Sequence, residues 1–150
     1  TTAFTFKNCD GKIPSEIKFE KSDLDVLNKF KDNLSIIREK INNQDINFYI
    51  SYIVNSLFEA NKYFNDQEPW KKKDDPVRLN TIVFTTLEII RKISFLLYPI
   101  IPDSSLKALK IFDIIEKDID FSSIESNEFL TKGKKINKID ILFKKIEKKQ

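Results

Sequence analysis

The stretch from Ala60 to Lys73, ANKYFNDQEPWKKK, holds the residue types best suited to chemistry in this chain. Trp70 is the one Trp of the protein, and Lys71, Lys72 and Lys73 follow it directly. An aromatic face stacks on an unpaired nucleic-acid base, and ammonium groups beside it hold the flanking phosphates. Asn61 offers an amide, donor and acceptor together, to a base edge. Pro69 restricts the backbone that delivers Trp70. Each group has a second use. Trp70 could plug the end of a helical bundle, Asn61 could bond loop backbone, and the three Lys could form a solvated loop. Arg91, in a mostly apolar stretch, is expected to pair with a carboxylate on the preceding helix, with RNA as the other possibility.

Catalysis has little to stand on. There is no His, no glycine-rich phosphate loop, and Cys9 sits beside Asp10 without a base. Glu59, Asp66, Glu68, Asp74 and Asp75 cluster around Trp70 in sequence, but caps and surface roles are the commoner use of such groups. A Cys/His metal site is excluded in a chain with one Cys and no His. No catalytic residue and no metal ligand is therefore assigned.

The 150 residues suit one domain with or without a tail, and 41% apolar content with thirteen Phe is enough for a core without staples. Two Gly and five Pro are too few for the turns of a sandwich or barrel, which favours helices. No apolar run reaches the roughly 18–20 residues of a membrane span, so no membrane partner is expected. A single Cys and no secretory leader pattern point to a reducing, cytoplasmic setting. A chain that opens on Thr1 and lacks Met is expected to be part of a longer polypeptide. Net charge is +3, divided between +6 over residues 132–150 and −3 over the rest. A basic tail attracts RNA by counterion release, or simply solubilises a terminal segment.

The elements that must position Trp70 are helical. Thr1–Phe6 reads as the end of an element, and Asn8-Cys9-Asp10-Gly11 as a turn before Pro14. Ser22 or Asp23 is expected to cap one helix running through Leu24, Leu27, Phe30, Leu34, Ile37 and Ile41. Asp45 caps a second, with Ile46, Tyr49, Ile50, Ile53, Val54, Leu57 and Phe58 as a broad apolar stripe. Asp75-Pro76 starts a third, from Leu79 to Leu97, and Asp103 or Ser104 caps a shorter one. Beyond Asp113 the chain reads as irregular until Ile136, Ile139, Leu142 and Ile146. These elements make an all-α antiparallel bundle over residues 1–112, its first helix largely before Thr1, and a basic C-terminal tail over 113–150.

Four blocks resemble one family in the same order. They are Asn8-Cys9-Asp10-Gly11-Lys12-Ile13-Pro14; Ala60-Asn61-Lys62-Tyr63 through Pro69-Trp70; Glu88-Ile89-Ile90-Arg91 leading to Leu96-Leu97-Tyr98-Pro99-Ile100-Ile101-Pro102; and Gly133-Lys134-Lys135-Ile136 with Leu142-Phe143-Lys144-Lys145-Ile146-Glu147. The chain resembles the C-terminal, α-helical anticodon-binding domain of methionyl-tRNA synthetase, a class I aminoacyl-tRNA ligase. The Asn…Pro-Trp spacing is the specific part. The likeness departs at Lys71, Lys72 and Lys73, where the family usually has an apolar residue, and at Lys144-Lys145, where Pro-Arg is usual.

The resemblance implies the bundle of class I synthetase anticodon-binding domains, with the anticodon stem-loop of tRNA(Met) as partner. It implies that Trp70 contacts the first anticodon base, the cytosine of CAU; Asn61, Lys71, Lys72 and Lys73 are expected as the other RNA-binding residues on their own chemistry, not on the resemblance. Further family residues that read the anticodon would precede Thr1. The resemblance also implies a parent ligase that charges the tRNA using ATP with Mg, and a catalytic domain in the same polypeptide; separately, the basic tail is expected to pack back on that parent. His-Ile-Gly-His and Lys-Met-Ser-Lys-Ser, the family's catalytic motifs, cannot occur in a chain without His or Met, and no cofactor is expected in this part. The rival expectation is a helical docking or scaffold domain with no autonomous RNA specificity.

Overall fold

The computed structural model describes residues 1–140 and 142. Lys144, Lys145 and Ile146, which the sequence places at the end of the tail, lie outside the described residues. Among the described residues six α-helices follow in order: α1 (Thr2–Asn8), α2 (Lys21–Asp32), α3 (Leu34–Asn42), α4 (Ile46–Gln67), α5 (Pro76–Leu97) and α6 (Pro102–Leu109). The expected all-α antiparallel bundle is what forms. Tyr49, early in α4, donates to the Leu96 carbonyl late in α5 at 2.5 Å, while Tyr63, late in α4, meets the group that binds Arg78 early in α5. The same pairing by ends sets α2 antiparallel to α4, with Asp23 beside Tyr63 and Lys29 bonded to Glu59 at 2.7 Å.

Helix α5 is the axis of the core. Nearly every residue from Arg78 to Leu96 is buried, polar ones included. A helix hydrophobic on all sides has to be surrounded; α2, α4 and α6 do this, together with the chain beyond residue 120. Asp45 and Asp75 cap α4 and α5 as expected, accepting from the backbone N–H of Phe48 and Arg78 at 3.0 Å each.

Three local expectations change. The single helix expected from Leu24 to Ile41 is broken at Asn33 into α2 and α3. The Asn33 amide donates to the Lys29 carbonyl at 2.8 Å, the local side-chain bond by which Asn competes with the helical ladder. Helix α2 begins earlier than Ser22 or Asp23. Glu20 is its cap, and Asp23, three residues on, accepts from the Glu20 N–H at 2.8 Å. Helix α6 starts on Pro102 rather than after Asp103 or Ser104, because proline's fixed φ suits the first helical position.

Packing is continuous past residue 112. Ile114, Ile124, Leu130 and Ile136 are buried in the common core. Ile13 and Ile136 donate their N–H to the carbonyls of Lys134 and Gly11 at 2.8 Å, around an isolated antiparallel bridge between Lys12 and Lys135. Gly11 is required there: its φ is +64°, and a Cβ would stand 2.6 Å from the Phe6 ring.

Arg91 does not reach the preceding helix. It pairs at 2.7 Å with Glu88, one turn earlier on α5, both side chains fully buried. Its remaining nitrogens donate to the Ser123 and Ser126 carbonyls at 3.1 and 2.9 Å. Lys92 donates to the Ile124 carbonyl at 2.6 Å, and Glu88 accepts the Leu130 N–H at 2.7 Å. Burial, and then the neighbouring Arg91 charge, lower the Lys92 pKa to about 8. The charges of α5 thus serve as the hydrogen-bonding frame for a strap over residues 121–130.

Candidate nucleic-acid interface

Trp70 stands on a single 3₁₀ turn, Pro69–Lys71, between α4 and α5. Helix α4 ends when Glu68 takes a left-handed conformation, φ 47°, which redirects the chain. Pro69 then anchors the turn by its burial, while Trp70 keeps 44% of its surface open. The Trp70 ring rests against Phe64, centroids 6.2 Å apart and planes tilted by 59°, and Phe64 meets Phe4 edge-on at 5.8 Å. An indole braced on one side and open to solvent on the other is the form a stacking platform takes.

The three lysines are not equivalent. Lys71 is tied to Glu68 at 2.7 Å, one turn back. Lys72 is half-buried and Lys73 is exposed. Asn61 is exposed on α4, two to three turns before Trp70. It lies on the rim of an apolar groove of about 400 Å³ between α4, α5 and α6, with Phe64, Ile90, Ile93 and Leu97. Phe64 links the two places, since it lines the groove and braces Trp70.

Sequence reasoning missed a cluster beside the turn. Asp23, fully buried, accepts from both terminal nitrogens of Arg78 at 2.6 and 2.9 Å and from the Tyr63 hydroxyl at 2.5 Å. Arg78 also donates to Gln67 Oε1 at 2.5 Å, and its Nε lies 3.6 Å from Glu20. Burial, with the hydrogen bond to Asp23 next, pushes the Tyr63 phenol well above its usual range, so it stays a donor. One signal was available: Arg78 sits in the first turn of a helix, where the macrodipole disfavours a cation unless a carboxylate answers it.

Cys9 is half-buried, with its thiol pushed up to about 11 by burial and then by Asp10, which makes it a poor nucleophile. Among the described residues no group of His, Cys, Asp or Glu could hold a metal ion, and no helix is long and apolar enough to cross a membrane.

Comparison with known proteins bears on this surface. A family model described as the anticodon binding domain of methionyl tRNA ligase matches residues 13–150. A methionine–tRNA ligase of Brucella suis is 34% identical over 109 residues, covering 72% of this chain and 21% of the relative. One from Rickettsia felis is 32% identical over 98% of this chain and 30% of the relative. Among solved structures, the apo form of Mycobacterium tuberculosis methionyl-tRNA synthetase superposes with a TM-score of 0.87 at 25% identity, over 97% of this chain and 30% of that one. The same enzyme with methionyl-adenylate gives 0.86. The chain thus spans between a fifth and a third of the length of these relatives.

Proposed function

The chain belongs to the family of methionyl-tRNA ligase anticodon-binding domains, and from that premise we propose that it reads the CAU anticodon of tRNA(Met) for a parent methionine–tRNA ligase. Trp70 stacks on the cytosine, Asn61 faces the loop from α4, and Lys71, Lys72 and Lys73 hold its phosphates. The parent charges the tRNA in the cytoplasm with methionine and ATP, Mg²⁺ accompanying the nucleotide, at a catalytic domain of the same polypeptide against which the basic end of this chain packs. No residue of this chain is assigned to ATP.

The observation that carries this reading is the braced, 44% exposed Trp70 on its proline turn. Base–aromatic stacking contributes about 1–3 kcal/mol, so Trp70→Ala lowers tRNA affinity about ten- to a hundredfold, while Trp70→Phe keeps part of it. Filter binding or anisotropy with labelled tRNA measures this, and circular dichroism checks the fold. Unchanged affinity in a folded Trp70→Ala protein contradicts the reading.

A second reading, a docking or scaffold role, is favoured by another observation. Ile46, Ile50, Val54, Leu57 and Phe58 leave an apolar stripe of α4 in solvent beside the groove. Such a face suits packing against further polypeptide. The two roles meet only at Asn61 and Phe64 on the groove rim and are compatible.

A further inference from the structure

The segment 68–77 that carries Trp70 leaves α4 after Gln67 and is back in α5 before Arg78. One side chain joins its two ends. The Arg78 guanidinium donates to Gln67 Oε1 on one side of the excursion and grips Asp23 of α2 through two nitrogens. Tyr63, in the last turns of α4, donates to the same carboxylate. Asp23 is 0% exposed and Arg78 and Tyr63 are 7% exposed, so none of the three is free to bind RNA itself.

We propose that Asp23, Tyr63, Gln67 and Arg78 form a clasp that sets the position of Trp70 for stacking, which makes Arg78 and Tyr63 positioning residues for anticodon recognition. The inference rests on the stacking role given to Trp70 above. Its physical basis is geometric. A planar guanidinium fork bonded to a carboxylate at two points has one orientation, and a third bond to Gln67 fixes the loop's ends against each other. A loop whose ends are fixed samples fewer conformations, and a platform already in place loses less freedom when a base lands on it. Lysine in place of Arg78 keeps the charge, but its donors diverge from one nitrogen and do not match the planar fork that meets both Asp23 oxygens side by side.

The same residues also tie α2 to α4 and α5, so a purely structural role has to be told apart. Trp70 is the only Trp of the chain, so its fluorescence reports on this loop alone. The variants are Gln67→Ala, which spares the Asp23–Arg78 pair, Tyr63→Phe, which removes one hydroxyl, and Arg78→Lys. Arg91→Lys, in the buried pair with Glu88, is the control for general loosening of α5. Well below the melting temperature, Gln67→Ala and Arg78→Lys lower the steady-state anisotropy of Trp70, and Arg91→Lys does not. The same two variants, and Tyr63→Phe, weaken binding of a CAU stem-loop roughly three- to tenfold, and this loss vanishes in a Trp70→Ala background. Wild-type anisotropy and affinity in folded Gln67→Ala and Arg78→Lys overturn the clasp. So does a loss that persists without Trp70, or one that Arg91→Lys reproduces. If Trp70→Ala alone leaves affinity unchanged, the stacking reading has failed, and the anisotropy still decides whether the clasp holds the loop.

Discussion

Lys73 and Lys71 carry the same charge in the same loop, but Lys71 must give up a carboxylate to reach phosphate and Lys73 does not. Lys71 is held by Glu68 at 2.7 Å, whereas Lys73 is exposed with no carboxylate partner among the described residues. A lysine that binds phosphate displaces counterions, and each contact to a single strand contributes about 0.7 to the slope of log affinity against log salt. Lys73→Ala therefore lowers that slope by roughly 0.7 for stem-loop binding, with little change in which base is preferred; an unchanged slope removes Lys73 from the interface. The position of Trp70 beside a proline and three lysines is legible in the sequence, because residue types and order alone carry it. Which lysine is free is not legible, since it depends on Glu68 turning back over the loop. Asp23 is the clearest miss. It reads as one of two candidate caps, but in the fold it serves Arg78 and Tyr63, residues 55 and 40 positions away, besides the Glu20 N–H.

At the scale of elements, the helix starts at Asp45 and Asp75 are legible because a cap acts within one turn of itself. The break at Asn33 is not, because the apolar spacing runs through it unchanged. The strap is hidden for a different reason. Ile124, Leu130 and Ile136 stand six residues apart, too sparse to mark a helix or a strand, and what fixes the segment is its backbone, held by Arg91, Lys92 and Glu88 of α5. Removing one partner of a buried pair leaves the other charge uncompensated. Arg91→Met should therefore destabilise the protein by about 3–5 kcal/mol and leave the amides of residues 121–130 less protected in hydrogen exchange. Loss below about 1 kcal/mol in urea unfolding, with protection of the strap retained, would show that the pair does not hold it.

On the scale of the whole molecule, the bundle presents two different surfaces from one core. One end of the α4–α5 pair carries the clasp and Trp70, and the side of α4 carries the apolar stripe and groove. The net charge of +3 is a weak attraction for RNA, so the proposed base recognition rests on local contact rather than on the field of the whole chain. The expectation of an all-α bundle came from scarce Gly and Pro and from long helical periodicities, signals that average over many residues. Family membership is legible through Asn61…Pro69-Trp70 and the flanking blocks, whereas the scaffold that braces Trp70 is built from residues far apart in sequence, Phe4 and Phe64 among them.

The most direct test is titration of this chain, at two salt concentrations, with a stem-loop carrying the CAU anticodon and with one changed only at the cytosine, followed by Trp70 fluorescence. Saturable quenching by the CAU loop is expected, with discrimination of several-fold that survives added salt. Equal, salt-labile binding of the two loops, or binding that leaves Trp70 emission unchanged, would mean that Trp70 does not read the cytosine.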